Sequence, residues 1–502
     1  MKRFFLFLFL LTAAITAVAQ DRDSVIQALD AYIEQVREQW AVPGMSVAVV
    51  QGGETLLAKG YGVKEKDQDD PVDAETVYQI GSVSKSFTSA LMAMMVEEGK
   101  LSWKDRVKDI LPDFNPVDPI IREDTRVADL MTHRMGYTSQ AATYFPNLGY
   151  DRTQTVKLLY RLTPEYGLRD GKHYNNMTFL IASQILEQVS GMPWEDLLQE
   201  RIFDPLGMNS ASTGKEGYLN SENVAGQHEL SSRGDSLRVV QLRGNNRALE
   251  WLTVIGPAGG VNMNVCDLAR WAEFHRTRGQ NSAGEQILSE AQMNYLHRGV
   301  VVDEQNDDHV TLYGQCWYIE QSRKCRIYYH TGTTWGHTAL CVFIPEFEMS
   351  LAILVDSEAP GGVRFSIMRR LIDLWLGLPD TDYSTQALEK WLVRSGSAPK
   401  KASQFALRKE RPAASAICGN YTGDSVLSNA RVYLKDNRLY IKIGPKGWIH
   451  RLIHERGNRW AFDSDGHRFR ATFDIGPDGT ARAFDLDWGH GEIFDPWVRK
   501  KN

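Results

Sequence analysis

Strand signals stand at both ends of a stretch whose middle reads as helical, and that order limits the folds open to the chain. Near the start, Met45 to Gln51 and Glu54 to Gly60 flank Gly52-Gly53, a strong hairpin signal. Strands return only at Gly314 to Glu320, Cys325 to Tyr329, Thr338 to Ile344 and Ser350 to Asp356. Apolar residues at helical spacing mark helices over residues 22–41, 177–190, 266–277 and 363–375. A parallel doubly wound fold would alternate strands and helices more regularly. The expected class is therefore α/β of the α+β kind: one mostly antiparallel sheet closed by the two ends of this stretch, flanked by helices and set beside a helical lobe. A cleft between sheet and lobe is the natural place for a site.

Pro379 to about Ala416 turns into a Ser/Pro/Lys-rich connection, and Cys418 to Asn502 then offers short alternating strands around Asp436-Asn437, Asp465-Gly466 and Asp478-Gly479. These strands read as a small antiparallel barrel. Met1-Lys2-Arg3, an apolar run from Phe4 to Leu11 and small residues up to Ala19 have the three regions of a secretory signal, with cleavage expected after Ala19. The expected organisation is a signal peptide over 1–19, a catalytic unit over 20–380, a linker over 381–416 and the barrel over 417–502. No cysteine follows the apolar run and no other segment reaches the ~18 apolar residues of a membrane span. The mature protein is expected in the periplasm or outside the cell.

Loss of Lys2 and Arg3 takes the formal net charge from −6 to −8, since residues 1–19 hold no acid. That balance argues against nucleic acid or anionic lipid as partner. The five cysteines are odd in number and lack metal-type spacing; Cys316 and Cys325, which flank an expected hairpin turn, are the one pair worth testing for a disulfide.

The chemistry is expected at Gln79 to Ser89, where Ser82 and Lys85 stand three residues apart at the start of a helix whose apolar positions run from Val83 to Met95. Positions i and i+3 share a face, so Ser82 Oγ and Lys85 Nζ can meet. A serine hydroxyl needs a base, and a lysine serves only if partly neutral near pH 7; burial and the positive end of a helix dipole both favour the neutral amine. The spacing alone is weak, because Ser397-Ala398-Pro399-Lys400 repeats it in the linker. Two further patterns lie downstream, Tyr174-Asn175-Asn176 before a helix and His330-Thr331-Gly332-Thr333 at a strand end, each with a decoy at Tyr218-Leu219-Asn220 and His297-Arg298-Gly299.

Taken together, these patterns resemble the serine beta-lactamase and penicillin-binding protein superfamily, specifically the class C beta-lactamase-like branch with its D-aminopeptidases, DD-peptidases and esterases. The resemblance runs over about residues 22–376 and extends to Val42-Pro-Gly-Met-Ser-Val-Ala-Val-Val, Leu130-Met-Thr-His-Arg-Met-Gly, Asp204-Pro-Leu-Gly-Met and Pro257-Ala-Gly-Gly-Val. The C-terminal strands resemble the lipocalin-like domain that often follows such a catalytic domain. The resemblance implies Ser82 as the acylated nucleophile, with Lys85 and Tyr174 sharing proton transfer; Tyr174 would act as a phenolate, its pKa lowered by a cationic neighbour, or pass a proton to Lys85. It implies that Asn176 bonds the substrate and that His330, Thr331, Gly332 and Thr333 line the substrate site, with backbone N–H of Ser82 and Thr333 as the oxyanion hole. It implies no cofactor and no metal. His330 stands where the lactamases proper usually have lysine, which lowers the expectation of efficient antibiotic hydrolysis. The expected reaction is hydrolysis of a small amide or ester, or of a short peptide, through a Ser82 acyl-enzyme. Acyl transfer to an alcohol or amine, and a binding or sensing protein that stays acylated, are the alternatives. Oligomeric state is left open.

Overall fold

The computed structural model describes residues 22–500 apart from 140, 234–235, 243–247, 396–402, 404, 424–426 and 488–495. The N-terminal signal-like segment therefore lies outside the described residues.

Helix α1 (Arg22–Gln39) leads into strands β1 (Gly44–Gln51) and β2 (Glu54–Gly62). After the helical lobe come β3 (Val301–Gln305), β4 (His309–Tyr313), β5 (Tyr318–Ser322), β6 (Arg326–Thr333), β7 (Thr338–Ile344) and β8 (Met349–Val355). These form one eight-stranded sheet in the order β2-β1-β8-β7-β6-β5-β4-β3, every pairing antiparallel. The first and last parts of the stretch meet between the second and third strands of the sheet, where Met45 pairs with Val355 and Gln51 with Met349. Strands β1, β7 and β8 are buried along their whole length, which is why they read as continuous apolar runs rather than as alternation. Val47, Val49, Leu340 and Ile353 face a core shared with α1 and helix Gly361–Trp375, while Ala48, Cys341, Phe343 and Leu354 face the helical lobe.

Several details depart from the sequence reading. The first helix of the lobe, α2, runs Ser84–Glu97, and Ser82 itself sits in a 3₁₀ turn, Gly81–Val83, in front of it. Gly314 to Trp317 is a turn, closed by a Gly314 N–H to Trp317 O bond of 2.8 Å, so the strand there begins at Tyr318. The edge strand β3 left no apolar signal because it is exposed over most of its length. Helix Tyr383–Ser395 occupies part of the stretch read as a linker, with the Trp40 indole donating to Ser384 Oγ at 3.0 Å. Cys316 and Cys325 are not bridged: Cys316 belongs to the core on the lobe side of the sheet and Cys325 to the core on the opposite side.

The C-terminal strands, β9 (Gly419–Thr422), β10 (Ala430–Lys435), β11 (Arg438–Ile443), β12 (Trp448–Arg451), β13 (Ile453–Arg456), β14 (Arg459–Ser464), β15 (His467–Ile475), β16 (Ala481–Asp487) and β17 (Trp497–Arg499), make a nine-stranded antiparallel sheet in the order β12-β11-β10-β9-β17-β16-β15-β14-β13. Its two edge strands are consecutive in the chain, separated by Leu452 alone, so the sheet curls into a nearly closed barrel. Side chains fill the interior: Tyr421, Trp460, Phe473, Phe484 and Trp497 are at most 1% exposed, and Phe484 stacks on Trp497 at 5.1 Å.

Unfolded without reductant, the protein is expected to titrate all five cysteines as free thiols. A titration two thiols short would contradict the placement of Cys316 and Cys325.

Candidate active site

Helix α2 is buried on all sides, from Ser84 to Met95. A helix with no solvent face must satisfy its polar side chains internally. Ser84 Oγ accepts from Val261 N at 3.0 Å, Ser86 Oγ from the Trp271 indole at 2.8 Å, and Ser89 Oγ donates to Gln315 O at 3.0 Å. Lys85 is the charged-type side chain in this series, and it is fully buried.

Its amine makes three contacts: Asn176 Oδ1 at 2.7 Å, Ala258 O at 2.7 Å and Ser82 Oγ at 2.9 Å. Asn176 precedes helix α3 (Met177–Ser190), and Ala258 lies in the short helix Gly256–Gly259. Burial brings the Lys85 pKa down to about 7. The first two contacts are to carbonyl oxygens, which only accept, so a neutral amine gives both its protons to them and turns its lone pair toward Ser82. Ser82 is half-buried and so reachable from the cleft.

The half-buried Tyr174 lies beside Ser82 and Lys85, its ring 4.8 Å from Lys85 Nζ. Desolvation holds its phenol pKa well above the usual 10, so of the two roles expected for it the phenolate is disfavoured. His133 packs on the same ring at 4.1 Å and accepts from Asn175 N at 3.2 Å; burial keeps it neutral.

The end of β6 closes the other side. A Cβ on Gly332 would fall 1.8 Å from Ile80 O and 3.1 Å from Ser82 N, and one on Gly81, whose φ is +53°, would fall 2.6 Å from Thr333 N. Only two bare backbones can approach this closely. Thr331 is half-buried and Thr333 exposed, whereas His330 is 1% exposed, with Nδ1 on Thr331 O at 2.7 Å and Nε2 3.3 Å from the Tyr313 hydroxyl. Burial and the charges of Lys85 and Lys172 bring its pKa down to about 3, so the ring is neutral and acts on the cleft through the strand.

Every residue expected at the site is thus gathered within one cluster. Several neighbours were not expected. Ala258 lies inside the Pro257-Ala-Gly-Gly stretch, which the sequence offered only as part of the family resemblance. Cys316, held as a thiol by burial with its pKa pushed up to about 12, and the fully buried Arg364, which donates to Gly332 O at 2.8 Å and Ala339 O at 2.9 Å, carried no local signal.

A mostly antiparallel sheet backed by helices, with a serine and a buried lysine one turn apart at its margin, is the architecture of the serine beta-lactamase and penicillin-binding protein superfamily. The beta-lactamase family model matches residues 29–373, and the chain belongs to that family of serine hydrolases. It is 24% identical over 424 residues to the unguisins hydrolase ungD' of Aspergillus campestris, across 78% of this chain and 74% of that protein. Its fold is similar to that of the octameric penicillin-binding protein homologue from Pyrococcus abyssi, with a TM-score of 0.60, 22% identity and coverage of 95% of this chain and 100% of the other. It is also similar in fold to EstCE1, described as a hydrolase with promiscuous acyltransferase activity, with a TM-score of 0.60, 18% identity and coverage of 71% and 99%.

Gly332→Ala is expected to lower stability by about 1–3 kcal/mol, since the added methyl meets backbone that cannot step aside. Denaturant unfolding checks this, and an unchanged midpoint would contradict the close approach.

Proposed function

We propose that the chain is an exported serine hydrolase that acylates Ser82 with a small amide or ester and releases the acyl group to water. The observation that carries this reading is the Lys85 amine, desolvated and with two acceptor-only partners, beside a serine that the cleft can reach. In the first step Lys85 takes the Ser82 proton while Oγ attacks the substrate carbonyl. The negative charge that develops on the carbonyl oxygen meets the backbone N–H groups of Ser82 and Thr333. The tetrahedral intermediate then expels the amine or alcohol, which receives a proton from Lys85 through the Tyr174 hydroxyl. Water, deprotonated by the same groups, attacks the acyl-enzyme and restores Ser82. Asn176, its Oδ1 engaged by Lys85, has its amide nitrogen left for the substrate. Thr331 and Thr333 line the opposite wall, and His330 steadies the strand that carries them. The charged start and apolar run before Ala19 support export.

Acyl transfer to an alcohol or amine is a second reading. Tyr144, Trp251 and Trp335 pack together just beyond Thr333, a setting that would limit water there, and the fold neighbour EstCE1 is described as a hydrolase with promiscuous acyltransferase activity. The packed barrel interior disfavours a ligand sensor built on that barrel.

An active-site serine probe is expected to label wild-type protein at Ser82 and to leave Ser82→Ala unlabelled; label at another serine would overturn the assignment. Lys85→Ala is expected to lower kcat/KM on the order of 10²–10⁴-fold. Because the base is the neutral amine, kcat/KM of the wild type should rise with pH through about 7 and level off above it. A profile flat from pH 5 to 9 would remove Lys85 from that role.

A further inference from the structure

The barrel meets the catalytic unit through the β14–β15 turn, where Asp465 and Gly466 both have positive φ, +42° and +77°. Asp465 reaches into the neighbouring helix α4 (Leu249–Val254), its carboxylate accepting from Glu250 N at 3.1 Å and Trp251 N at 2.7 Å. The residue in the N-cap position of that helix is Ala248, which has no side-chain oxygen to offer. The cap is supplied instead from the barrel, 215 residues further along the chain. Asn147 fastens the same turn, donating to Asp465 O at 2.9 Å, while Ser464 Oγ donates to Asn147 O at 2.6 Å.

What this turn holds packs near the segment that carries Ser82. Gly259 sits between the Trp251 ring and the residue before Ser82: a Cβ on it would be 3.6 Å from Trp251 Cη2 and 3.8 Å from Gly81 C. Trp251 packs edge-on against Trp335 at 4.7 Å, two residues beyond Thr333. His467, immediately after the turn, stacks on Tyr144 at 4.5 Å and lies 6.3 Å from Trp335. Tyr144, Trp251 and His467 are each at most 9% exposed, so they pack together as one aromatic cluster two residues beyond the end of β6.

We infer that the barrel turn Ser464–His467 is a specificity-determining part of the substrate site, Asp465 setting Trp251 and His467 shutting the aromatic side of the cleft, so that compact acyl groups are accepted and long ones excluded. This rests on the hydrolase reading above. The barrel then acts by its surface, consistent with an interior filled by its own side chains. Asp465 is a positioning residue; His467 is the wall itself.

The test compares full-length wild type, His467→Ala, Asp465→Ala and Asp465→Asn on p-nitrophenyl acetate and p-nitrophenyl octanoate. Wild type is expected to favour the acetate. The two alanine variants should shift the ratio of kcat/KM toward the octanoate by at least about 10-fold, and Asp465→Asn, which keeps one acceptor oxygen, should fall between them and wild type. The ratio is independent of the folded fraction, so partial unfolding cannot imitate the result. An unchanged ratio in both alanine variants overturns the inference. If neither ester is turned over, labelling rates of Ser82 with methyl and octyl fluorophosphonates are compared in the same way. Absence of Ser82 labelling in every form overturns the hydrolase reading, and the inference with it.

Discussion

The structure turns on the dry environment of Lys85. An ammonium transferred from water into a protein interior loses several kcal/mol of hydration, and the contacts available here, two carbonyl oxygens and a hydroxyl, bring no opposing formal charge to make good the loss. The same packing that buries α2 therefore sets the lysine's chemistry. Its neighbours on that helix, Ser84, Ser86, Thr88 and Ser89, all send their hydroxyls into hydrogen bonds with surrounding elements, Thr88 Oγ1 donating to Pro257 O at 2.8 Å, one residue from the carbonyl that holds Lys85. Fold stability and the proton affinity of this lysine are in this sense one property.

The facing wall follows a different logic, that of close backbone approach. Gly81 and Gly332 let the 3₁₀ turn and the end of β6 come together, and Arg364 pins that strand end by holding Gly332 O and Ala339 O from beneath. Its burial lowers its pKa only to about 10, so it remains a cation beneath the strand at neutral pH. His330, neutral and enclosed, completes the support. A lysine at that position would carry its charge on a longer stem toward the cleft; the imidazole instead spends its nitrogens on Thr331 O and the Tyr313 hydroxyl. What this wall offers to the cleft is therefore backbone and threonine groups.

Much of this was legible in the sequence where a local pattern reports a local cause. The apolar runs of β1, β7 and β8 announced strands, Gly52-Gly53 a tight hairpin, and the spacing of Ser82 and Lys85 a shared face. What was not legible depends on contacts between distant segments. The exposed edge strand β3 has no apolar face to show. The start of α2 moved from Ser82 to Ser84 because Gly81 adopts a positive φ to meet Thr333, a demand set about 250 residues away. The cap of α4 could not be read at Ala248 because it comes from the barrel. Cys316 and Cys325 are close in sequence, yet the chain between them passes from one core to the other, which spacing alone does not reveal.

Ser82 and Lys85 meet as soon as one helical turn forms, whereas the β6 wall can join them only after the sheet has closed a loop of some 250 residues, a slow and late event in folding. A chain still emerging from synthesis, or one cleaved before Arg326, carries the serine without the strand that faces it. On the proposed reading, reactivity toward an acylating probe would then report the last stage of assembly, at the seam of the two bare glycines.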